Sequence, residues 1–192
     1  MSTIVVVRKG KHACMAADTL TSFGDVKLSS TYDKYHNKIQ ACGDSFVGIV
    51  GSAAHSLVID DIFSEANVEY DFQSRHGIFR TFLKFHSILK DKYFLNVSGG
   101  KNDEHDPYET SHIDAVILNT KGIFAVYSLR DTNEFQRFWA IGSGADFALG
   151  AMHALYDRLE SAEEIAKAGV LAGIEFDNGS SAPVTFKTTE LE

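Results

Sequence analysis

Residues 1–17 read MSTIVVVRKGKHACMAA. Residues 3–8 form a β-branched apolar run and residues 13–17 a second, shorter one. Lys9-Gly10-Lys11 makes a polar turn between them, so the segment predicts a β-hairpin. The pairing recurs: residues 39–42 and 45–50 form a second candidate hairpin across Gly43-Asp44, and residues 113–118 and 123–129 a third about Lys121-Gly122. A polar stretch, residues 19–37, separates the first two pairs. Helical periodicity fills the gap between the second and third. In residues 53–67, Ala54, Leu57, Val58, Ile62 and Phe63 share a face; in residues 75–94, Ile78, Phe79, Phe82, Leu83, Phe85, Ile88 and Leu89 do. Residues 99–111 read as a charged loop and residues 138–141 as a short strand. Two more helices follow, over residues 145–159 and 162–173, the second capped by Ser161 ahead of Glu163-Glu164. Residues 183–187 predict a last, edge strand.

Strands and helices thus arrive in pairs rather than one by one. That argues against a parallel βαβ sheet and predicts an α+β chain, two stacked antiparallel sheets with helix pairs outside them. A length of 192 residues, without a linker rich in Pro, Gly or Ser, predicts a single domain over 1–192. The chain carries 18 Lys+Arg against 26 Asp+Glu, and a net charge of −8 argues against nucleic-acid binding. No apolar run is long enough to span a bilayer, and Ile4 to Val7 is too short and too poorly flanked for a signal peptide, so no membrane role is expected. Cys14 and Cys42 lie in apolar strand-like runs, without a second Cys or a His at zinc-ligand spacing. They predict two buried thiols of a reducing cytosol and no metal.

The familiar signatures are absent: no Gly-x-Ser-x-Gly, no phosphate-binding loop, no His-Glu-x-x-His. Gly142-Ser143-Gly144 reads by itself as a tight turn, and His105 and His112, flanking Asp103, Glu104, Asp106 and Glu109, as part of a solvated loop. The distinctive feature is the start. Loss of Met1, which methionine aminopeptidase removes before a small residue, leaves Ser2 with an α-amine beside its own hydroxyl, nucleophile and base in one residue.

Several short motifs make this start meaningful. Ser2-Thr3-Ile4-Val5-Val6-Val7-Arg8, Ala16-Ala17-Asp18 and Phe23-Gly24 resemble the opening of proteasome β subunits and of the HslV-type peptidase. Asn37-Lys38-Ile39 and Gly48-Ile49-Val50-Gly51-Ser52-Ala53-Ala54 are similar to that family's Lys-hydrophobic strand and its glycine turn into a helix. Ala140-Ile141-Gly142-Ser143-Gly144 and Asp177-x-x-Ser180 are similar to its Ile-Gly-Ser-Gly and Asp-x-x-Ser motifs. The resemblance spans the chain and is nearest to the betaproteobacterial branch of proteasome homologues.

What the resemblance implies is a four-layer αββα N-terminal nucleophile hydrolase, cytoplasmic and bacterial, needing no cofactor. Ser2 would be the nucleophile and its amine the general base. Thr3 would replace it if Ser2 were also removed. Asp18 and Lys38 would form the charged pair that tunes the amine, the Gly48 N–H would bind the oxyanion, and Ser143, Asp177 and Ser180 would hydrogen-bond around the amine. Counting forward from Asp18 points to Lys34 as the lysine, and counting back along the strand pattern to Lys38, which is preferred. Phe46 would floor a shallow substrate pocket, with Ser22 and Val50 beside it, favouring small or medium apolar side chains over charged ones. The substrate would be a peptide or unfolded protein, and the assembly a homo-oligomer of stacked six- or seven-membered rings, 12–14 subunits. An unfoldase ATPase is the partner such barrels imply, although no feature of the chain identifies one. Phe72, Phe79 and Phe94 suit either a subunit interface or core packing. A catalytically silent ring subunit and a small-amide hydrolase of the same fold are the alternative readings.

Overall fold

Residues 1–65, 68–97 and 107–192 are described in a computed structural model. Strand β1 (Ile4–Lys9) pairs antiparallel with β2 (His12–Ala17) about the glycine turn, Ile4 opposite Ala17 and Lys9 opposite His12. Side chains on successive strand residues point to opposite faces, and here both faces are apolar. Ile4, Val6, Ala13, Met15 and Ala17 enter one buried cluster; Val5, Val7, Cys14 and Ala16 enter another. A strand buried on both sides must lie inside a stack, and that dictates the layers.

The first sheet runs β10 (Phe138–Ile141), β1, β2, β11 (Thr185–Glu190), all antiparallel. The second runs β5 (Ile39–Cys42), β6 (Ser45–Val50), β7 (Asp114–Asn119), β8 (Gly122–Val126), β9 (Thr132–Phe135). Between them lies the cluster of Ile4, Met15, Val116, Leu118, Ile123 and Ile141. Helices α1 (Ala53–Ser64) and α2 (Arg75–Asp91) cover the outer face of the second sheet; α3 (Ala145–Leu155) and α4 (Ala162–Phe176) cover the first. This is the expected four-layer αββα sandwich.

Boundaries shift by a few residues, and other features depart from expectation. The polar stretch holds a small hairpin, β3 (Thr21–Phe23) and β4 (Val26–Leu28), and β9 is an additional polar strand. Leu57, placed on the apolar face of α1, is 74% exposed, because the buried stripe runs through His55, Ile59 and Ile62. On α2 the stripe is Ile78, Phe82, Phe85 and Leu89, leaving Phe79 and Leu83 partly exposed; Phe94 faces solvent, whereas Phe72 is core. The expected end of the first helix at Asn67, and loop positions 99–106 with His105, Asp103, Glu104 and Asp106, lie outside the described residues. Among the described residues no His, Cys, Asp and Glu group is placed to hold a metal ion, and no helix is long and apolar enough to cross a membrane. Cys14 and Cys42 are free and buried, and burial pushes their thiols up to about 12 and about 11.

Candidate active site

One end of the first sheet gathers the N-terminus of β1, the C-termini of β2 and β10, and the link from α4 to β11. The β1–β2 ladder stops at Ile4–Ala17, and side chains take over. The Asp18 backbone N–H still donates to the Thr3 carbonyl at 3.1 Å, but the Thr3 N–H donates to Asp18 Oδ1 at 2.9 Å. Asp18 is completely buried. Its Oδ1 also accepts from Lys38 Nζ at 2.7 Å, and its Oδ2 from the backbone N–H of Leu20 at 3.0 Å and of Ser181 at 3.2 Å. Four donors fill the acceptor capacity of the carboxylate, which is how a buried charge is tolerated.

Lys38, just ahead of β5, has a side chain only 12% exposed. Its Nζ touches both Asp18 and Ser2 Oγ, the latter at 3.0 Å. Burial pulls this ammonium below the usual lysine range, while the charge and hydrogen bond of Asp18 and the charge of Asp177 pull it back up. Lys34, the other candidate lysine, is exposed, its ammonium over the ring of Tyr35. The structure thus settles which lysine meets Ser2. It also separates the two candidate hydroxyls. Ser2 Oγ faces Lys38, whereas Thr3 Oγ1 is fully buried and bonded to Ser180 Oγ at 2.7 Å.

On the other side of Ser2, its backbone N–H donates to Ser143 Oγ at 3.1 Å, and Ser143 Oγ donates to Asp177 Oδ2 at 2.8 Å. Asp177 is the C-cap of α4, and Ser180 Oγ, three residues on, donates to the same Oδ2 at 2.7 Å. Ser143 sits in the β10–α3 turn. Gly142 there has φ +97°, and a Cβ on it would lie 2.2 Å from the Ser2 carbonyl oxygen, so only glycine permits this approach. Met1 precedes Ser2 in this chain, its side chain against Gly179, and its carbonyl accepts from Ser2 Oγ.

Gly48 lies on β6 opposite Ile39, the residue after Lys38. A Cβ at Gly48 would be 2.9 Å from Ile4 Cγ2, so the packing of the two sheets already requires a glycine there. Phe46 and Val50 flank it on the same face, both half-buried against the inter-sheet cluster, and the Lys187 ammonium is 5.5 Å from the centre of the Phe46 ring. Ser22 stands apart from this strand, on the β3–β4 hairpin opposite Lys27. A groove of about 690 Å³ lined by His12, Glu160 and Thr188 lies elsewhere and touches none of these residues. The sequence reading missed Thr3 as a link in the network, and the Leu20 and Ser181 N–H donors. Backbone donors leave no mark in a sequence; Gly144 and Gly173, which pack on Thr3, were the available signal.

No family model matches the chain. Thiobacillus denitrificans BPH in complex with epoxomicin is 38% identical over 99% of both chains, with a TM-score of 0.91. The chain belongs to the bacterial proteasome homologue (BPH) family. A second structure of T. denitrificans BPH is likewise 38% identical, over 99% of this chain and 98% of that one, at a TM-score of 0.90. The eukaryotic HslV of Trypanosoma brucei, at 18% identity, 98% and 99% coverage and a TM-score of 0.68, shares the fold. The family is thus proteasome-like and of the peptidase type.

Proposed function

We propose that residues 1–192 act as one proteasome β-like domain, an N-terminal-serine peptidase that cleaves peptides or unfolded proteins. The reading is carried by one observation: Lys38 Nζ bridges Ser2 Oγ and the saturated, buried Asp18. An ammonium held there lowers the pKa of a nearby hydroxyl or amine.

With Met1 removed, the Ser2 nitrogen becomes an α-amine, with a reference pKa of about 7.7–8.0 that the Lys38 charge depresses. Neutral amine takes the Oγ proton as Oγ attacks the carbonyl carbon, and the Gly48 N–H binds the oxyanion. The ammonium so formed gives its proton to the departing nitrogen as the scissile C–N bond breaks. Water then hydrolyses the ester through the same amine. Ser143, Asp177 and Ser180 orient that amine.

Phe46 and Val50, on one face of β6, form the shallow pocket for small or medium apolar side chains, without Ser22, which lies on the separate β3–β4 hairpin. The T. denitrificans relative was solved with epoxomicin, a peptide epoxyketone, and such warheads engage a terminal hydroxyl and amine together. Stacked rings of six or seven subunits, 12–14 in all and fed by an unfoldase ATPase, would confine the activity in a bacterial cytoplasm.

Intact-mass measurement with and without a peptide epoxyketone tests the reading, with sedimentation to count subunits. Loss of Met1 and one adduct on Ser2 are expected. A chain that keeps Met1 and takes no adduct is instead a silent ring subunit, and the proposal fails.

A further inference from the structure

Thr3, the residue before β1, falls by alternation in line with Val5 and Val7, both wholly apolar and packed towards α3 and α4. A third valine would continue that pattern. Instead a hydroxyl is buried there, and two glycines make room for it. A Cβ on Gly144 would lie 2.0 Å, and one on Gly173 2.3 Å, from Thr3 Oγ1.

Hydrogen-bond bookkeeping fixes what that hydroxyl does. The Ser2 nitrogen, an amide here, can only donate, so Ser143 Oγ accepts from it and has its own proton free for Asp177 Oδ2. On the other arm Ser180 Oγ gives its one proton to that same Oδ2, so towards Thr3 it can only accept. Two consecutive residues, Ser2 and Thr3, therefore feed donors through two serines into one carboxylate oxygen. We propose that the Thr3 hydroxyl is a positioning group for the Ser2 nitrogen. By donating to Ser180 it strengthens the Ser180 bond to Asp177 and sets how much of that carboxylate's charge reaches Ser143.

The inference rests on the peptidase reading, in which the Ser2 nitrogen is a free amine. It then donates one proton to Ser143, which leaves its lone pair for the Ser2 hydroxyl. The charged groups facing it are Lys38 ahead of β5, Asp18 after β2 and Asp177 after α4. Without the Thr3 proton, Ser180 donates less strongly, more negative charge is left for the Ser143 arm, and the ammonium form of the amine is favoured.

The test is a ¹⁵N NMR titration of the Ser2 amine in Met1-free protein, alongside the pH dependence of kcat. Thr3→Val should raise the amine's midpoint by about half a pH unit and move the acid limb of kcat with it. Thr3→Ser, which keeps the hydroxyl and loses the methyl, should leave both unchanged. Ser180→Ala, which breaks the same arm at its other end, should reproduce the Thr3→Val shift and add nothing to it in the double variant. If Thr3→Val does not fold, Ser180→Ala against Thr3→Ser decides. An unmoved midpoint in Thr3→Val or Ser180→Ala, or an equal shift in Thr3→Ser, overturns the inference and leaves the peptidase reading intact. A wild-type protein with no titrating amine at Ser2 overturns both.

Discussion

The two helix-on-sheet halves of this molecule are packed by opposite means. Under α1 and α2 the outer face of the second sheet is filled with bulk: Phe124 on the sheet, and Phe63, Tyr70, Phe72, Phe82 and Phe85, whose neighbouring ring centroids lie 5.4–6.3 Å apart. Under α3 and α4 five alanines, Ala16, Ala140, Ala148, Ala162 and Ala166, stand among Val5, Val7, Met152, Tyr156, Ile165 and Val170, and a Cβ on Gly169 would lie 2.8 Å from Met152 Cγ. Large rings can exchange volume with their neighbours, whereas backbone pressed on backbone cannot move without everything else moving. The close-packed half is the one that carries Ser2, Ser143 and Asp177. The difference teaches that the site's geometry is held by small residues and the fold's stability largely by large ones.

The largest effect should come from the residue that joins the two sheets at the site. Lys38→Met keeps the length and apolar stem of the side chain but removes the ammonium. Peptide hydrolysis should fall by about 10²–10⁴-fold, the range for losing a group that assists proton transfer. The loss should appear in kcat and in the rate of epoxyketone adduct formation together; a fall of less than tenfold would mean that Lys38 is only a structural counter-ion.

The contrast between the halves can be broken by a paired experiment. Gly144→Ala puts a methyl into the space of Thr3 Oγ1 and must displace the start of β1 or of α3. A shift of about 1 Å in the nucleophile costs about 10²-fold in rate. Phe85→Ala, in the other half, should cost about 3–5 kcal/mol of unfolding free energy yet leave kcat of the folded protein within about twofold. Denaturant unfolding and turnover, measured on both variants, give the answer. If Phe85→Ala loses rate as Gly144→Ala does, the division between the halves is wrong.

A smaller effect concerns pH. Burial depresses Lys38, so it gives up its proton at a lower pH than a free lysine. The alkaline limb of kcat/KM should therefore fall below the ordinary lysine midpoint of about 10.4. Because the folded-state value is lowered, the unfolded chain binds the extra proton, and the contribution of this group to stability rises with pH between the two midpoints. A limb at or above the free-lysine value would show that Lys38 is not the group whose charge the reaction needs.

The layers and the residues that meet at the candidate site were legible in the sequence for the same reason: both are local patterns. Paired apolar runs about Gly10 and Gly43 announce hairpins, and Ser2, Asp18, Lys38, Ser143, Asp177 and Ser180 each sit in a short recognisable context. The β3–β4 hairpin was not legible, since three-residue strands with an exposed Phe23 and Val26 have no alternation to detect. Nor was β9, an edge strand of mostly polar residues. Leu57 misled because its helix buries only a narrow stripe. Choosing between Lys34 and Lys38 needed the third dimension, because the connection ahead of the strand can take up any spare residues before the chain reaches Ser2.

The smallest effect tests whether the half-buried Phe46 of β6 sets preference rather than rate. Phe46 is half-buried, two residues from Gly48 on the same face, with the Lys187 ammonium 5.5 Å from its ring centre. Phe46→Ala should deepen the pocket and admit large apolar side chains about tenfold better relative to small ones, a few methylenes' worth of burial. It should also strip Lys187 of the ring beneath its charge, so that acidic side chains gain as well. Relative kcat/KM across a peptide panel measures both. Gain for large apolar residues alone would separate Lys187 from the pocket. An unchanged ranking would remove Phe46 from it and leave β6 with only the packing role that Gly48 already shows against Ile4.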